Sequence, residues 1–245
     1  MAVCGEDIKV RKTKLDSMKT RQLLIDTAIQ EFARRGVSNT TLTDIADAAH
    51  VTRGAIYWHF SSKAELFNAI WAHYVELKER TVATSEPDEI SDPLAVLREK
   101  LITLLKTVAT DPKYRALMDI LYHKCEFTVE MITECEIRNI ICFDRQNMAD
   151  ALQRCIDNGQ ISATLNINVA IILLQSCITG IISDWLSQPQ SFNLFMLVDV
   201  LVDNMLKMLL AEPHNNNDKH PMLNQQAAQT YGVSSPAAAL SSHEW

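Results

Sequence analysis

The chain has 245 residues, of which 47% are hydrophobic and 22% are charged. This is the balance of an ordinary globular protein, and the low content of 6 Gly and 7 Pro favours long helices over many short strands. The net charge of −7 argues against a protein that coats nucleic acid with its whole surface.

The charged residues are unevenly distributed along the chain. Residues 1–70 contain 10 Lys and Arg against 8 Asp and Glu, whereas residues 71–245 contain 13 against 22. Because the acidic part would repel a polyanion, an encounter with nucleic acid would be directed to the first 70 residues.

The cysteines and the apolar segments argue against a metal site, a cofactor and a membrane span. None of the six cysteines belongs to a CxxC pair or a zinc-site spacing, so they are interpreted as small residues in or near the core. The N-terminus is charged and lacks the apolar run of a signal peptide. The apolar stretch Val169–Ser183 is 15 residues long and contains several polar residues, too short and too polar to cross a bilayer. A cytoplasmic location is expected.

Four helices are predicted in the N-terminal part of the chain. The first begins near Thr20 and ends at Gly36, the second spans Thr41–Ala49 and the third runs from Thr52 to about His59. The fourth begins after a capping-box pattern at residues 62–65 and ends near Ala83. The helical period of the first is carried by Ile25, Ala28, Ile29 and Phe32.

The remaining chain is also predicted to be helical, after a polar linker at residues 84–91. Asp92-Pro93 and Asp111-Pro112 are each typical of a helix start, an N-cap followed by Pro at the first helical position. The segments predicted as helices after these are residues 114–127, 129–158, 167–186 and 194–210. No strand or internal repeat is predicted. The fold class is therefore all-α.

The second and third helices form a predicted helix-turn-helix over about residues 41–60. In the third helix Ile56 and Phe60 lie four residues apart and are expected to point inward. The other face carries two adjacent rows, Arg53 with Tyr57 and Gly54 with Trp58. The alternative that both aromatic rings belong to the core is weaker, because the inward positions are already filled.

This patch has the chemistry that a DNA major groove requires. The side chain of Arg53 can donate two hydrogen bonds to guanine, and Gly54 lets the helix approach the bases closely. The aromatic rings can contact thymine methyls or the sugar-phosphate chain. His59 and Lys63 follow where phosphates would pass, and Lys63 lies at the N-terminus of the next helix.

The sequence from Thr20 to Trp71 resembles the DNA-binding domain of TetR-type repressors. The resemblance covers about residues 17–77 and rests on Thr-Thr-x-x-Ile-Ala, Val-Thr-x-Gly, Tyr-x-x-Phe and Lys-x-x-Leu in this order. TRGAIYWHF, DPLAVLREKL, LYHKCEF and QSFNL further resemble the AcrR-like subgroup, whose members repress multidrug efflux operons. One departure is His50, which stands where the family commonly has Gly.

The resemblance implies a domain organisation and a set of DNA contacts. An N-terminal three-helix helix-turn-helix domain precedes a larger helical ligand-binding and dimerisation domain. The segments are a flexible basic arm at residues 1–16, the DNA-binding domain at 17–77, the ligand-binding and dimerisation domain at 78–211 and a disordered tail at 212–245. The implied DNA-contacting residues are Thr41, Thr43, Thr52, Arg53, Gly54, Ala55, Tyr57, Trp58, His59 and Lys63.

The resemblance also implies a homodimer that reads a palindromic operator in double-stranded DNA. The last two predicted helices would form a four-helix interface with a second copy, unless they only pack in their own core. The small residues expected at this contact are Ser176, Cys177, Thr179 and Gly180, and the apolar ones are Leu197, Leu201, Met205, Met208 and Leu209.

A pocket for a small hydrophobic or cationic ligand is expected in the C-terminal part. Methionine and aromatic side chains adapt to varied apolar ligands, and a carboxylate among them favours cations. The alternative is that these side chains belong to the ordinary core. The candidate pocket residues are Met118, Tyr122, Cys125, Glu126, Met131, Glu134 and Cys135.

Two other classes of function fit the sequence less well than a repressor does. An all-helical cytosolic enzyme would need a catalytic pair, and the nearest candidates, Asp44 with Asp47 and His123 with Cys125, lack partners at catalytic spacing. A DNA-binding protein without a ligand is disfavoured by the acidic C-terminal part.

Overall fold

The computed structural model describes residues 6–82, 92–141 and 144–210. Within these residues the protein has ten α-helices, one π-helical turn and no strand, which confirms the all-α fold class. The linker at residues 84–91 and the tail at 212–245 lie outside the described residues, as do Cys4 and Cys142.

Helix α1 (Glu6–Arg35) begins well before the predicted start at Thr20. Residues 6–16 of the expected flexible arm are therefore helical. The physical reason is local, because these positions are mostly Lys, Arg, Glu and other residues with good helix propensity, with no Gly or Pro among them. The helix ends as predicted at Gly36, whose φ of 86° lies in the left-handed region that favours glycine.

The helix-turn-helix has the predicted bounds and caps. Helix α2 (Leu42–Ala48) begins with a capping box between Thr41 and Asp44, in which each residue satisfies a backbone N–H of the other. In helix α3 (Arg53–His59) the hydroxyl of Thr52 accepts a hydrogen bond from the backbone N–H of Ala55 at 3.2 Å. Helix α4 (Lys63–Val82) follows after one short turn.

The turn between α2 and α3 closes through a left-handed residue, His50, with a φ of 55°. The N–H of His50 donates to the Asp47 carbonyl at 3.1 Å, and the N–H of Val51 donates to the Ala46 carbonyl at 3.0 Å. These two bonds form a Schellman motif, in which glycine is the preferred residue at the position of His50. The side chain at this position therefore costs conformational energy.

We expect His50→Gly to stabilise the folded protein by up to about 1 kcal/mol, because glycine avoids the left-handed steric cost and loses part of that gain through greater freedom in the unfolded chain. Urea unfolding at constant protein concentration measures the change. Ala48→Gly is the matched control, since Ala48 is exposed inside helix α2 and its replacement should cost about 1 kcal/mol. A loss of stability in both variants would contradict the interpretation of strain at His50.

The C-terminal part begins as predicted and then departs from prediction. Helices α5 (Pro93–Thr110) and α6 (Pro112–Asp119) begin with the expected Asp-Pro caps. A π-helical turn (Ile120–Lys124) ends the predicted helix 114–127 early, and residues 125–133 are not helical.

The predicted single helix over residues 129–158 is wrong. The structure has two helices there, α7 (Glu134–Ile141) and α8 (Arg145–Asp157). Two caps set their start points. The Thr133 hydroxyl accepts from the Glu136 N–H at 3.3 Å and donates to its carboxylate at 2.7 Å, and the Asp144 carboxylate accepts from the first N–H groups of α8.

The last two helices, α9 (Ile167–Ser187) and α10 (Leu194–Leu210), match their predicted bounds within one residue. By length and composition alone, α9 is apolar enough to cross a membrane, which differs from the prediction for this segment. In the structure α9 packs against α5, α6, α8 and α10, and its buried side chains, such as Ile171 and Ile178, belong to the common core.

The helix-turn-helix and the C-terminal helices share one hydrophobic core within the described residues. The segment after α6 supplies much of the contact between them. The Val37 N–H donates to the Lys124 carbonyl at 2.8 Å, and the rings of Phe67 and Phe127 meet edge to face with centroids 6.0 Å apart. A boundary at residue 77 stays a prediction.

Candidate nucleic-acid interface and ligand cavity

Helix α3 separates its two faces as the spacing predicts. Ile56 is 0% exposed and Phe60 is 1% exposed, so both belong to the core. Tyr57 is 46% exposed and Trp58 is 73% exposed on the opposite side. The alternative that the aromatic pair fills the core is therefore wrong. Exposing two adjacent aromatic rings to water to this extent is unfavourable and is typical of a surface that a partner covers.

The exposed groups of α3 are arranged for contact with a polyanion. The guanidinium of Arg53 lies over the ring of Tyr57, with its carbon 5.5 Å from the ring centre. This contact restricts the arginine while its hydrogen-bond donors stay exposed to solvent. The Trp58 ring meets the imidazole of His59 edge to face, with centroids 4.6 Å apart. The face thus combines a planar hydrogen-bond donor, which suits the edges of bases, with large apolar rings, which suit thymine methyl groups.

His59 and Lys63, both expected near phosphates, are partly buried. Burial lowers the pKa of His59, and the charge of Arg21 lowers it further, so the imidazole is neutral at pH 7 and has one N–H to donate. The ammonium of Lys63 donates to the carbonyls of Val37 at 2.6 Å and Ser38 at 3.1 Å. Lys63 therefore holds the α1–α2 loop, and its contact with a phosphate stays a prediction.

Two of the threonines expected to contact DNA cap the starts of helices. Thr41 and Thr52 are exposed N-cap residues, whereas Thr43 and Ala55 are partly buried. Hydrogen bonds from Thr41 hold the pKa of Asp44 below its usual range, so the capping box is intact at neutral pH. The contacts of these four residues with DNA stay predictions.

Gly54 is exposed, and a Cβ built there would meet only the Thr52 hydroxyl, at 3.9 Å. The fold therefore does not require a glycine. We expect Gly54→Ala to leave folding intact or to stabilise the helix by up to about 1 kcal/mol. We expect it to weaken operator binding by about tenfold, since an added methyl in a close groove contact costs on the order of 1–3 kcal/mol.

Thermal unfolding and operator titration of the Gly54→Ala variant separate these two effects. Ala72→Ser is the control, because Ala72 is exposed on α4 outside the helix-turn-helix and the substitution changes little volume, so it should leave operator affinity unchanged. Unchanged operator affinity in Gly54→Ala would show that the helix does not approach the bases closely at this position.

The side chains considered for an enzyme form structural contacts. Asp44 caps α2, and His123 connects the π-helical turn to α9. Its Nδ1 lies 3.0 Å from the Asp119 carboxylate and its Nε2 lies 3.0 Å from the Ser183 hydroxyl. Burial, with the charges of Glu134 and Glu126, raises the pKa of Cys125 to about 11, so its thiol is uncharged at pH 7.

Several residues expected to line a ligand pocket have contacts within the protein, and their role as pocket residues stays a prediction. Met118 and Met131 are buried in the core, as the alternative interpretation held. The ring of Tyr122 lies under the guanidinium of Arg138 at 5.2 Å, and the Glu126 carboxylate accepts a hydrogen bond from Ser38 at 3.3 Å.

A cavity of about 800 Å³ lies between α7, the start of α8 and α9. Of the expected residues only Glu134 and Cys135 line it. The cavity is also lined by the guanidiniums of Arg138 and Arg145 and the amide of Gln175, which the sequence does not predict as pocket residues. A single helix over residues 129–158 would not bring Arg138 and Arg145 together at one wall, and the structure has two helices there. The volume suits a drug-sized molecule.

One face of α9 and α10 exposes large apolar side chains. Leu197 and Met208 are exposed as the dimer prediction requires, whereas Met205 and Leu209 are buried in the chain's own core and Leu201 is partly buried. Further exposed apolar residues of these two helices are Val169, Leu173, Phe195, Met196 and Val200. Ile172 is also exposed and lines the cavity, as do Ser176, Thr179 and Gly180 of the expected dimer contact. Exposed apolar side chains in this number are typical of a protein interface.

Two protein-family models match the chain. The model described as bacterial regulatory proteins, tetR family, matches residues 24–70. The model described as MAATS-type transcriptional repressor, C-terminal region, matches residues 92–211. The matches therefore include both the helix-turn-helix and the helices around the cavity.

Related proteins match along most of the chain. The probable acrEF/envCD operon repressor of Escherichia coli strain K12 is 44% identical over 202 residues, which are 82% of this chain and 92% of that protein. The crystal structure of NalD, secondary repressor of the MexAB-OprM multidrug efflux pump in Pseudomonas aeruginosa, is 30% identical with a TM-score of 0.64 and covers 80% of this chain and 100% of NalD. The SmeT–triclosan complex, from a repressor of Stenotrophomonas maltophilia, is 25% identical with a TM-score of 0.64 and covers 83% and 99%.

Proposed function

The chain belongs to the TetR family of bacterial regulatory proteins and is a ligand-responsive, DNA-binding transcriptional repressor, and from that premise we propose that it controls the genes of a multidrug efflux pump. The similarity to operon and efflux-pump repressors along most of the chain supports this assignment. These relatives are regulators, and we propose that this chain also acts through binding rather than catalysis.

The observation that carries the DNA-binding half of the proposal is the exposed face of α3. Arg53, Tyr57 and Trp58 stand together in solvent on a helix whose other face is buried. We propose that this face enters the major groove and that Arg53 reads guanine. We propose a cytoplasmic location, because operator DNA lies in the bacterial cytoplasm.

The exposed apolar face of α9 and α10 supports a homodimer. Two copies joined through these helices would form a four-helix interface and would present two recognition helices. Such a dimer reads a palindrome whose half-sites are about one helical turn, or about 34 Å, apart.

The cavity supports the ligand-binding half of the proposal. Its wall includes Thr133, the last residue of the non-helical segment 125–133, and Glu134, the first residue of α7. The same segment is bonded to the DNA-binding part, since the Asn68 side chain donates to the Glu130 carbonyl at 3.1 Å and accepts from the Ile132 N–H at 2.8 Å. A ligand that moves α7 would therefore shift α4 and the helix-turn-helix.

We propose that a hydrophobic small molecule, of the kind that efflux pumps export, binds in this cavity and lowers the affinity for the operator. The coupling free energy in such systems is on the order of 1–3 kcal/mol, or about 5- to 150-fold in affinity. The two recognition helices would then no longer fit successive major grooves at once. A carboxylate in the pocket would favour a cation, and of the two expected carboxylates, Glu126 and Glu134, Glu134 lines the cavity.

Fluorescence anisotropy on labelled DNA tests the whole proposal. The protein is titrated onto the intergenic duplex beside its own gene and onto a random duplex of equal length, with and without the hydrophobic molecule triclosan, and triclosan is also tested on DNA alone. Specific binding that triclosan releases supports a ligand-gated repressor. Specific binding unaffected by any pump substrate would leave a ligand-independent DNA-binding protein, and equal binding to both duplexes would contradict operator recognition.

The cavity-filling variant Asn139→Phe is the matched control for the ligand, because Asn139 is partly buried on α7, lines the cavity and lies outside the helices proposed for the dimer. It should bind the operator normally and should not respond to triclosan. A full response in this variant would place the ligand elsewhere.

A further inference from the structure

We propose that the cavity between α7, α8 and α9 selects amphipathic molecules that carry an anionic group, such as a carboxylate or a sulfonate, and that Arg145 and Arg138 bind this group. The inference rests on the proposed ligand function and names the chemical class of the ligand. It replaces the expectation of a cationic ligand.

The first observation is the charge of the cavity wall. Two guanidiniums, of Arg138 and Arg145, and one carboxylate, of Glu134, line it. The carboxylate forms an i,i+4 ion pair with Arg138. The charged groups that line the cavity therefore leave one positive charge without a counter-ion, and a ligand anion would supply it.

The second observation is that only one hydrogen bond of the Arg145 guanidinium is found among the described residues. Its Nη1 donates to the Gln175 side-chain oxygen at 3.2 Å, which fixes the head group against α9. Within the described ranges Arg145 forms no ion pair. A guanidinium has five N–H donors in a planar fork that matches a carboxylate, so most of its donors remain for a ligand.

The third observation is that Arg138 is held rigidly at the wall. Its guanidinium carbon lies 5.2 Å from the ring centre of Tyr122, and its Nη2 is bonded to Glu134. Its Nε is buried and has no hydrogen-bond partner in the described part of the protein. A buried donor without a partner is costly, and an acceptor on the ligand that reached it would recover that cost.

A cation would meet the opposite electrostatics. It would either face a wall with a net positive charge or have to break the Glu134–Arg138 pair to reach the carboxylate. The apolar part of either ligand has the same surface available, formed by Ile172 and the small residues of α9. The sign of the ligand's charge is therefore the property that the cavity distinguishes.

Three molecules with the same alkyl chain isolate that property: decanoate, decanol and decyltrimethylammonium, each below its micelle concentration. Binding to the full-length protein is measured by isothermal titration calorimetry, and release of operator DNA is measured by anisotropy. We expect decanoate to bind about tenfold or more tightly than the cation, as a charge-assisted hydrogen bond to arginine would give. Decanol should lie between them.

Arg145→Gln should remove most of the preference for decanoate. Arg154→Gln is the matched control, because Arg154 is exposed on the same helix and does not line the cavity. Glu134→Gln changes the charge in the opposite direction and should strengthen decanoate binding while weakening the cation. This second variant keeps the test decisive if Arg145→Gln fails to fold.

The outcomes separate the two proposals. Equal or tighter binding of the cation, or an unchanged preference in both charge variants, overturns the anion site, and release of the operator by that cation would still support ligand-gated repression. Binding of decanoate that depends on Arg145 supports the anion site, even if the operator is not released, and in that case the ligand-gated function fails by itself. No binding of any of the three molecules overturns the anion site.

Discussion

Arg53→Ala is expected to abolish most of the discrimination between operator and random DNA. A bidentate contact of arginine with guanine contributes about 1–3 kcal/mol, and a dimer has two such contacts, so the loss at the operator should reach about 2–6 kcal/mol. Random DNA offers no matched guanine, and there only one positive charge per subunit is lost. Parallel titrations of the two duplexes at the same salt concentration measure the ratio.

Two variants serve as controls for Arg53. Arg53→Lys keeps the charge but not the planar fork, so it should bind random DNA normally and still lose specificity. Arg34→Ala removes a positive charge from α1, where Arg34 is paired with Glu31 at 2.6 Å, and should leave the specificity ratio unchanged. If Arg53→Ala weakened operator and random DNA by the same factor, Arg53 would not be a base-reading residue.

Val200→Glu is expected to convert the protein into a folded monomer that binds the operator at least about 100-fold more weakly. Val200 is 57% exposed on α10, so a carboxylate there is compatible with the fold of one chain but not with an apolar interface. A monomer presents one recognition helix, and the gain of about 10²- to 10⁴-fold from joining two binding modules is lost. Analytical ultracentrifugation and operator titration of the same sample measure both effects.

Val129→Glu is the matched control, since it adds the same charge at an exposed valine outside α9 and α10. It should remain dimeric and bind the operator normally. A Val200→Glu variant that stayed dimeric would exclude this part of α10 from the interface, and a monomer with full operator affinity would contradict the need for a dimer.

The sequence by itself determined the features that rest on neighbours a few residues apart. The caps at Thr41, Thr52, Asp92 and Asp111 and the stop at Gly36 all lie where the residue types predict. The four-residue spacing in α3 was enough to separate its buried and exposed faces. The resemblance of residues 20–71 to TetR-type repressors also indicated the family, which the matches at residues 24–70 and 92–211 confirm.

The tertiary structure alone decided which side chains surround empty space. Periodicity shows that a helix has an apolar face, but it does not show whether another helix fills that face or leaves a void. Met118 therefore had the pattern of a pocket residue and lies in the core, whereas Arg138, Arg145 and Gln175 come together only because α7, α8 and α9 pack side by side. Contacts between residues thirty positions apart, such as Arg145 and Gln175, depend on the packing of whole helices, and no local signal in the chain records them.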